Sequence, residues 1–377
     1  MKKITSQMEN EEYLTKQIIT YIGNKRSLLN FIGEAVNIVR KKLNKNKLEI
    51  VDIFSGSGIV SRYLKQYSSK LISNDLEEYA YVLNKCYLSN RSELKMDELI
   101  SWYNYIIDNA NNKLIKGIIA ENYAPKDIND IKEGERCFYT TRNAMYIDTV
   151  RQLIEGIPEQ YKCYFIAPLL SEASVKNNTS GVFKGFYKNS KTGIGQFGGN
   201  NENALSRIKK DIELPFPVLS NYECKTEIYK KDANILIKEL DVVDLIYMDP
   251  PYNQHPYGSN YFMLNIINDY KMPKEISKVS GIPRDWNRSK FNKAKEALKT
   301  FENLCSNAKA KYLLISFNSD GFITKDEMLK MLSKIGKVKI MEKEYNTFRG
   351  SRNLNNRDIH IKEYLYLVEV NKYKEVK

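Results

Sequence analysis

The chain has 377 residues, enough for one large domain or for a domain with a sizeable insert. Its formal net charge of +13 favours a polyanionic partner, although Lys- and Asn-rich sequences also arise in AT-rich genomes. The five cysteines are dispersed and only two histidines are present, which argues against a metal centre and favours a reducing, cytoplasmic compartment. No apolar stretch is long enough to predict a membrane span.

Apolar runs alternate with amphipathic helix patterns over two parts of the chain, which predicts an α/β fold with a mostly parallel sheet. The strands predicted for this sheet are residues 48–54, 70–75, 227–232, 242–248 and 312–318. The last two strands, 338–341 and 364–368, are predicted to form an antiparallel hairpin. The basic tip of that hairpin contains Arg349, Arg352 and Arg357. These arginines either contact phosphates or are simply solvated.

The alternation is interrupted over residues 92–220, which predicts an insert with helices that include 144–157 and 162–175. Residues 175–200 contain four lysines and no acid, in a stretch rich in glycine and asparagine. This stretch could be a flexible surface loop. We favour a DNA-facing element, because long irregular segments in compact proteins are often functional and lysines suit phosphates.

A glycine-containing turn, Phe54-Ser55-Gly56-Ser57-Gly58, follows the first strand and opens a helix, where the backbone can approach a ligand closely. Asp75 ends the next strand, where an acid can bind ribose hydroxyls. Together they predict a cofactor that contains adenosine. Position 61 is Ser61 rather than the third glycine of a dinucleotide fingerprint, which favours S-adenosylmethionine over a nicotinamide dinucleotide.

The most informative segment is Asp249-Pro250-Pro251-Tyr252, which follows the apolar strand at 242–248. The prolines cannot continue a ladder of hydrogen bonds, so the strand ends there. An acid, two rigid carbonyl-bearing residues and an aromatic ring then lie at the carboxyl end of a strand, where open α/β sheets bind ligands. This combination suits a purine with an exocyclic amine.

With these segments in this order, the chain resembles the Dam-type DNA adenine methyltransferases (D12 class, alpha group) over nearly its whole length. The segments that match are Tyr21-x-Gly23-x-Lys25, Phe54 to Gly58, Asp75, Asn178 to Phe183, Asp232-Ala233 and Asp249 to Tyr252. The resemblance implies a Rossmann-like class I methyltransferase sheet, mostly parallel with an antiparallel C-terminal hairpin. It also implies a mainly helical and irregular target-recognition insert at 92–220, with the catalytic domain formed by 1–91 and 221–377.

The resemblance also assigns the site residues. The catalytic residues it implies are Asp249, Pro250, Pro251 and Tyr252. The residues it implies for binding S-adenosylmethionine are Tyr21, Gly23, Lys25, Phe54, Ser55, Gly56, Gly58, Asp75, Asp232, Ala233 and Asp249. One departure is Tyr21, where close relatives often have Trp, and stacking on the cofactor should survive that change. In the insert, Arg142, Asn178 and Lys184 are predicted to contact DNA.

The implied activity is methylation of the 6-amino group of an adenine flipped out of double-stranded DNA. The implied setting is a restriction-modification system with a separately encoded endonuclease, and a monomer or weak dimer is expected. Methylation of cytosine at its 4-amino group uses the same acceptor chemistry and is the nearest alternative, ahead of an RNA adenine substrate. A non-catalytic DNA-binding module of the same fold and a dehydrogenase are also compatible with parts of the pattern.

Overall fold

The computed structural model describes residues 8–16, 18–319, 321–346 and 360–373, and its centre is a seven-stranded sheet. The strands are β1 Leu48–Asp52, β2 Ser68–Asp75, β3 Lys225–Lys230, β4 Val243–Met248, β5 Ala310–Asn318, β6 Gly336–Asn346 and β7 His360–Val370. The helices are α1 Glu11–Thr15, α2 Leu29–Leu43, α3 Ile59–Lys65, α4 Glu78–Tyr87, α5 Met96–Asn112, α6 Ile118–Tyr123, α7 Thr141–Glu155, α8 Glu159–Val175, α9 Leu205–Lys209, α10 Ala233–Glu239, α11 Tyr257–Asn260, α12 Phe262–Asp269, α13 Ala294–Asn307 and α14 Lys325–Leu332.

The strand order is β3-β2-β1-β4-β5-β7-β6. The strands from β3 to β5 are parallel, whereas β7 runs antiparallel to both β5 and β6. This confirms the predicted Rossmann-like methyltransferase sheet with its antiparallel C-terminal hairpin. The order reverses between β1 and β4, so a crevice opens outside their carboxyl ends, where such sheets bind ligands.

Helices cover both faces of the sheet because neighbouring residues of a strand point to opposite sides. Ile50 and Leu245 pack with α2 and α3 on one face. Val51 and Ile246 pack with α10, α13 and α14 on the other face. Each such side chain is fully buried and stabilises the fold by about 1.5–3 kcal/mol. The two central strands are therefore held rigidly, and so are the loops that follow them.

The break in the strand–helix alternation lies between α4 and β3, as predicted. Helices α5 to α8 form a layer in which α8 packs against α4 and α12. The residues of this layer belong to the same hydrophobic cluster as Tyr79 of α4 and Phe262 of α12. The insert therefore shares a core with the rest of the chain.

None of the helices within the described ranges has the length and apolar character that a membrane span requires.

A second excursion, which the sequence patterns did not predict, connects β4 to β5. It contains α11, α12, an irregular segment at 270–293 and α13. The Phe183 N–H donates a hydrogen bond to the Asn260 carbonyl at 2.8 Å, which joins the insert loop to this excursion. The Arg136 guanidinium donates hydrogen bonds to the carbonyls of Ser277 and Lys278, at 3.3 and 3.1 Å. The insert and the excursion are thus linked by backbone and side-chain bonds.

Candidate active site

A cleft of about 910 Å³, which includes its open mouth, lies at the carboxyl ends of β1, β2 and β4. Most of the residues predicted for the cofactor and the reaction line it. Those residues are Tyr21, Gly23, Lys25, Phe54, Ser55, Gly56, Asp75, Asp232, Ala233, Asp249 and Pro251. Gly58, Pro250 and Tyr252 do not line this cleft. Gly58 lies at the start of α3, and Pro250 and Tyr252 flank the cleft residue Pro251.

The turn after β1 is hydrogen-bonded to the end of β2. Gly56 and Gly58 have φ angles of +51° and +79°, a region that glycine adopts without strain. The Gly56 N–H donates a hydrogen bond to Asp75 Oδ2 at 2.8 Å, and the Glu77 N–H donates one to Asp75 Oδ1 at 3.0 Å. Burial raises the pKa of Asp75, and these backbone donors oppose the rise. The Asp75 carboxylate therefore faces the cleft from a rigid position.

The N-terminal loop that contains Tyr21 is fastened to α11 and the residue after it. The Tyr21 ring stacks on the rings of Tyr257 and Tyr261, each with a centroid separation of 4.9 Å. The Ile22 N–H donates to the Tyr261 hydroxyl at 2.7 Å, and the Tyr257 hydroxyl donates to the Ile22 carbonyl at 3.1 Å. The chain turns next at Gly23, with a φ of +74°. This loop and the segment after the prolines are thus held together by ring stacking and hydrogen bonds.

Asp232 caps helix α10 while it lines the cleft. Its carboxylate accepts hydrogen bonds from the backbone N–H groups of Asn234 and Ile235, at 2.8 and 3.3 Å. Such a cap satisfies N–H groups that have no partner inside the helix. A carboxylate has further lone pairs, so Asp232 can also accept a hydrogen bond from a ligand. The capping role and the predicted binding role are compatible.

Asp249, at the end of β4, belongs to a buried cluster of charges. Its Oδ1 atom lies 3.2 Å from Lys25 Nζ, and Glu363 Oε1 of β7 lies 3.0 Å from the same nitrogen. The side chains of Lys25, Asp249 and Glu363 are 2%, 17% and 0% exposed. Burial lowers the pKa of Lys25, but Asp249 and Glu363 outweigh it and raise that pKa well above its usual value. Lys25 is therefore an ammonium at neutral pH.

The pKa of Asp249 is raised to about 7. Burial is the main cause, because it disfavours the charged carboxylate. Lys25 lowers this pKa and Glu363 raises it, so the two partners act in opposite directions. A carboxyl group tuned to this range can change its protonation state near neutral pH.

Tyr252 lies directly beside this cluster. Its ring packs edge-on against Phe317 of β5 with a centroid separation of 5.7 Å, and Lys25 Nζ lies 5.4 Å from the ring centroid. The Phe322 N–H donates a hydrogen bond to the Tyr252 carbonyl at 2.9 Å, which fixes the backbone after the prolines. A flat aromatic face next to a hydrogen-bond acceptor can receive a planar base.

The three predicted DNA contacts lie in different environments. Arg142 is exposed and pairs with Asp211 at 3.1 Å. Lys184 is also exposed. Burial lowers the pKa of His255, and the positive charge of Lys184 lowers it further. Lys184 therefore lies close to the segment after Tyr252. Asn178 is 0% exposed: its amide donates to the Cys137 carbonyl at 2.8 Å, and its carbonyl oxygen accepts from the Gly198 N–H at 2.9 Å.

Asn178 therefore holds the lysine-rich loop in its fold, and we replace its predicted DNA contact with this structural role. Polar residues in a glycine-rich loop look exposed in a sequence, but this loop closes around the amide. The arginines predicted at the hairpin tip, Arg349, Arg352 and Arg357, lie outside the described residues.

Several residues of the site were not predicted from the sequence. Glu77, Asn287 and Phe291 line the cleft, and Glu363 joins the buried charges. Burial raises the pKa of Glu77 to about 7, and Asn265 Nδ2 donates a hydrogen bond to its Oε2 at 2.8 Å. The sequence signal for Glu363 is weak: it is an acid directly before the run Tyr364-Leu365-Tyr366-Leu367.

Comparisons with known proteins agree with this geometry. A family model described as D12 class N6 adenine-specific DNA methyltransferase matches residues 21–331. The chain is similar to the type II methyltransferase M.NlaIII of Neisseria lactamica, with 30% identity over 93% of this chain and 99% of that protein. It is also similar to the type II methyltransferase M.CviAII of Paramecium bursaria Chlorella virus 1, with 30% identity over 93% and 98% of the two chains.

Among solved structures, the chain matches the magnesium protoporphyrin IX methyltransferase ChlM from Synechocystis PCC 6803 with bound SAM. The identity is 9% and the TM-score 0.31, over 93% of this chain and 85% of that chain. The family prediction made from the motifs is confirmed by the sequence comparisons. The chain belongs to the D12 class N6 adenine-specific DNA methyltransferases.

Proposed function

We propose that this protein is a site-specific DNA methyltransferase that transfers a methyl group from S-adenosylmethionine to the 6-amino group of a flipped-out adenine. Family membership supports the activity. The observation that most supports the chemistry is the position of Asp249, at the end of β4, beside Lys25 and on the wall of the cleft. The acceptor for the amine and the binding place for the cofactor therefore meet at one point.

The residues that line the cleft fit S-adenosylmethionine. Asp75 offers a carboxylate to ribose hydroxyls, and Asp232 offers one to an exocyclic amine. Phe291 packs edge-on against Phe54 at 5.2 Å between centroids and forms part of an apolar wall that suits an adenine ring. When bound, S-adenosylmethionine supplies an electrophilic methyl group. Tyr21, Asp75 and Asp232 would bind and orient it.

Asp249 and Pro250 would act on the target amine, whose lone pair is delocalised into the ring. The Asp249 carboxylate accepts one N–H and the rigid Pro250 carbonyl accepts the other, which aims the lone pair at the methyl group. The amine nitrogen would then bond to the methyl carbon that S-adenosylmethionine supplies, and the electron pair of the carbon–sulfur bond would stay on sulfur. Most of the rate comes from positioning and electrostatics. Asp249 can take the proton that the methylated amine releases.

The target adenine must leave the stacked duplex before it can reach Asp249. Tyr252 would stack on the extruded base, a contact worth about 1–3 kcal/mol. We assign recognition of the surrounding sequence to the insert at 92–220 and the catalytic domain to 1–91 and 221–377. The position of Lys184 beside the segment after Tyr252 supports an approach of DNA from the insert side.

The type II methyltransferases to which the chain is similar support a place in a restriction-modification system. We propose that a cognate endonuclease is encoded separately and that the enzyme acts as a monomer or weak dimer, because one flipped base needs one active site. We place the enzyme in the cytoplasm. All five cysteines are buried as free thiols, which suits a reducing compartment.

Turnover should depend on pH through the ionisation of Asp249. We expect kcat/KM for DNA to fall as the pH decreases through about 7, because a protonated carboxyl is a weaker acceptor for the amine N–H and cannot take the proton that the amine releases. The measurement is kcat/KM for DNA against pH, which reports the ionisation of the enzyme before DNA binds. Glu77→Gln is the control, because burial raises the pKa of Glu77 to a similar value. The pH dependence should persist in this variant if Asp249 causes it. A rate that stays constant from about pH 6 to 8 would contradict this assignment.

DNA affinity should depend on Lys184. We expect Lys184→Ala to weaken binding and to reduce the slope of log affinity against log salt by about one, since one phosphate contact is lost. Binding of a duplex that contains the recognition site is measured at several salt concentrations. Lys330→Ala, which removes an exposed lysine of α14, is the matched control. An unchanged salt slope for Lys184→Ala would exclude Lys184 from the DNA interface.

The experiment that tests the proposed function is single-molecule sequencing of DNA from cells that express the protein. We expect N6-methyladenine at one recurring motif, which would identify the base and the recognition sequence together. Methylcytosine at a motif would replace adenine with the 4-amino group of cytosine as the target. The absence of any modification, from folded protein that binds S-adenosylmethionine, would reject DNA methylation as the activity.

A further inference from the structure

Glu363 is a fully buried carboxylate, and removing such a group from water costs free energy. It is 0% exposed on β7, in register with Asn318 of β5. Its Oε1 atom accepts a hydrogen bond from the Ser316 hydroxyl and pairs with Lys25. Within the described part of the chain, its Oε2 atom has no hydrogen-bond partner. Buried polar atoms are nearly always satisfied, so stability alone does not account for this residue.

We propose that Glu363 is a positioning residue that holds the Lys25 ammonium against Asp249 and keeps the charge of the catalytic pocket negative. This inference rests on the proposed function. Lys25 Nζ lies within 3.2 Å of one carboxylate and 3.0 Å of the other, so it bridges them. With both carboxylates ionised, the three side chains carry one net negative charge.

That net charge matters because the target amine becomes cationic as it is methylated. Asp249 and Lys25 alone would be neutral together, and they would offer little stabilisation to the developing cation. The addition of Glu363 makes the pocket attract positive charge at the nitrogen. A fixed, buried arrangement of charges needs no reorganisation during the reaction, which is why such groups are effective in the transition state.

Glu363 also acts on the ionisation of Asp249. Both carboxylates contact the same nitrogen, so their oxygens are no more than about 6 Å apart, a distance at which a charge shifts a neighbour's pKa. Among the described residues, the other titratable or charged groups that face Asp249 are Lys25, Tyr257, Tyr247 and Asp52, and Tyr252 faces Lys25 and Tyr257. Glu363 raises the pKa of Asp249 and Lys25 lowers it. Removal of the Glu363 charge should therefore lower this pKa.

The test is Glu363→Gln, which keeps the shape of the side chain and its acceptor for Ser316 but removes the charge. We expect kcat to fall by about tenfold or more, with unchanged affinity for S-adenosylmethionine. We also expect the acidic limb of the kcat/KM profile to move down by roughly one to two pH units, because Asp249 ionises more easily. A purely structural role would lower activity and melting temperature without moving the limb.

Glu369→Gln is the matched control, because it makes the same change on the same strand, where Glu369 pairs with Lys42 at the surface. It should leave both kcat and the limb unchanged. A limb that stays in place in Glu363→Gln, while the wild type methylates DNA, would overturn the inference and leave the proposed function intact. An inactive wild type would instead count against the proposed function.

A second comparison applies if Glu363→Gln does not fold. Lys25→Met leaves two buried carboxylates facing each other, so the acidic limb should move up. The double variant Lys25→Met/Glu363→Gln removes the ion pair as a unit and leaves no unpaired partner at position 25 or 363. Its limb should lie below that of Lys25→Met. Identical limbs in these two variants would show that Glu363 does not act on Asp249.

Discussion

Asp249→Asn is expected to lower the rate of methyl transfer by at least about a thousandfold. Asparagine keeps the size of the side chain but replaces a negative acceptor with a neutral amide, one end of which donates hydrogen bonds. The amine would lose an acceptor for its proton, and Lys25 would lose its ion pair at position 249 while it keeps the one with Glu363. The measurement is single-turnover methyl transfer to a duplex with one recognition site, beside separate binding assays for S-adenosylmethionine and DNA.

Asp244→Asn is the matched control for this prediction. Asp244 lies at the opposite end of β4, is also buried, and pairs with Lys45 at 2.8 Å. Its substitution should affect the free energy of unfolding and leave the rate of methyl transfer close to that of the wild type. If Asp249→Asn still methylates at the wild-type rate, Asp249 is not the acceptor. If wild type and variant both bind DNA and neither methylates, the protein is a binding module of the same fold.

The sheet could be predicted from the sequence because its signals are local. A buried parallel strand such as β4 reads as an apolar run, interrupted here only by Asp244, and the prolines after it mark its end. The turn at Gly56 and the acid at Asp75 follow strands at the spacing of a nucleotide site. Most of the residues predicted from these features and from the family resemblance line the cleft. The ends of the strands differ from prediction by a few residues.

The remainder of the site depends on contacts between distant parts of the chain. Glu363 meets Lys25 only because β7 inserts between β5 and β6, a pairing that no local pattern shows. Asn287 and Phe291 reach the cleft from the excursion after β4, which has no strong periodicity. Asn178 was misplaced for the same reason, since its burial results from the tertiary fold of the loop. Sequence patterns predict elements well, but long-range side-chain contacts poorly.

Three tyrosines couple the turn after β1, where we propose that the cofactor binds, to the segment after the prolines, where we propose that the target base binds. Tyr257 and Tyr261 follow the prolines in the chain, yet they stack on Tyr21 and bond to the backbone of Ile22. The ring of Tyr21 in turn covers the turn at Gly56. The turn after β1 and the segment after the prolines are therefore positioned together. A disturbance at Gly56 should be transmitted to both.

Gly56→Ala is expected to weaken binding of S-adenosylmethionine by at least about tenfold, which corresponds to about 1.4 kcal/mol. A Cβ atom at this position would lie 2.8 Å from Tyr21 Cε1, and the Tyr21 ring cannot swing away because it stacks on Tyr257 and Tyr261. The φ of +51° adds a backbone cost of about 1–2 kcal/mol for a residue with a side chain. Calorimetric titration with S-adenosylmethionine, together with thermal unfolding with and without it, measures both effects.

Gly134→Ala separates the two causes. Gly134 has a φ of +86°, but a Cβ atom there would meet nothing within 4 Å, and the residue lies in the insert, away from the cleft. Backbone strain should lower its free energy of unfolding by an amount similar to the backbone cost in Gly56→Ala. Its affinity for S-adenosylmethionine should stay at the wild-type value. Equal affinities in Gly56→Ala and wild type would show that the turn after β1 does not form the cofactor site. A loss of affinity in Gly56→Ala alone would place the cofactor against this turn, since backbone strain is common to both variants.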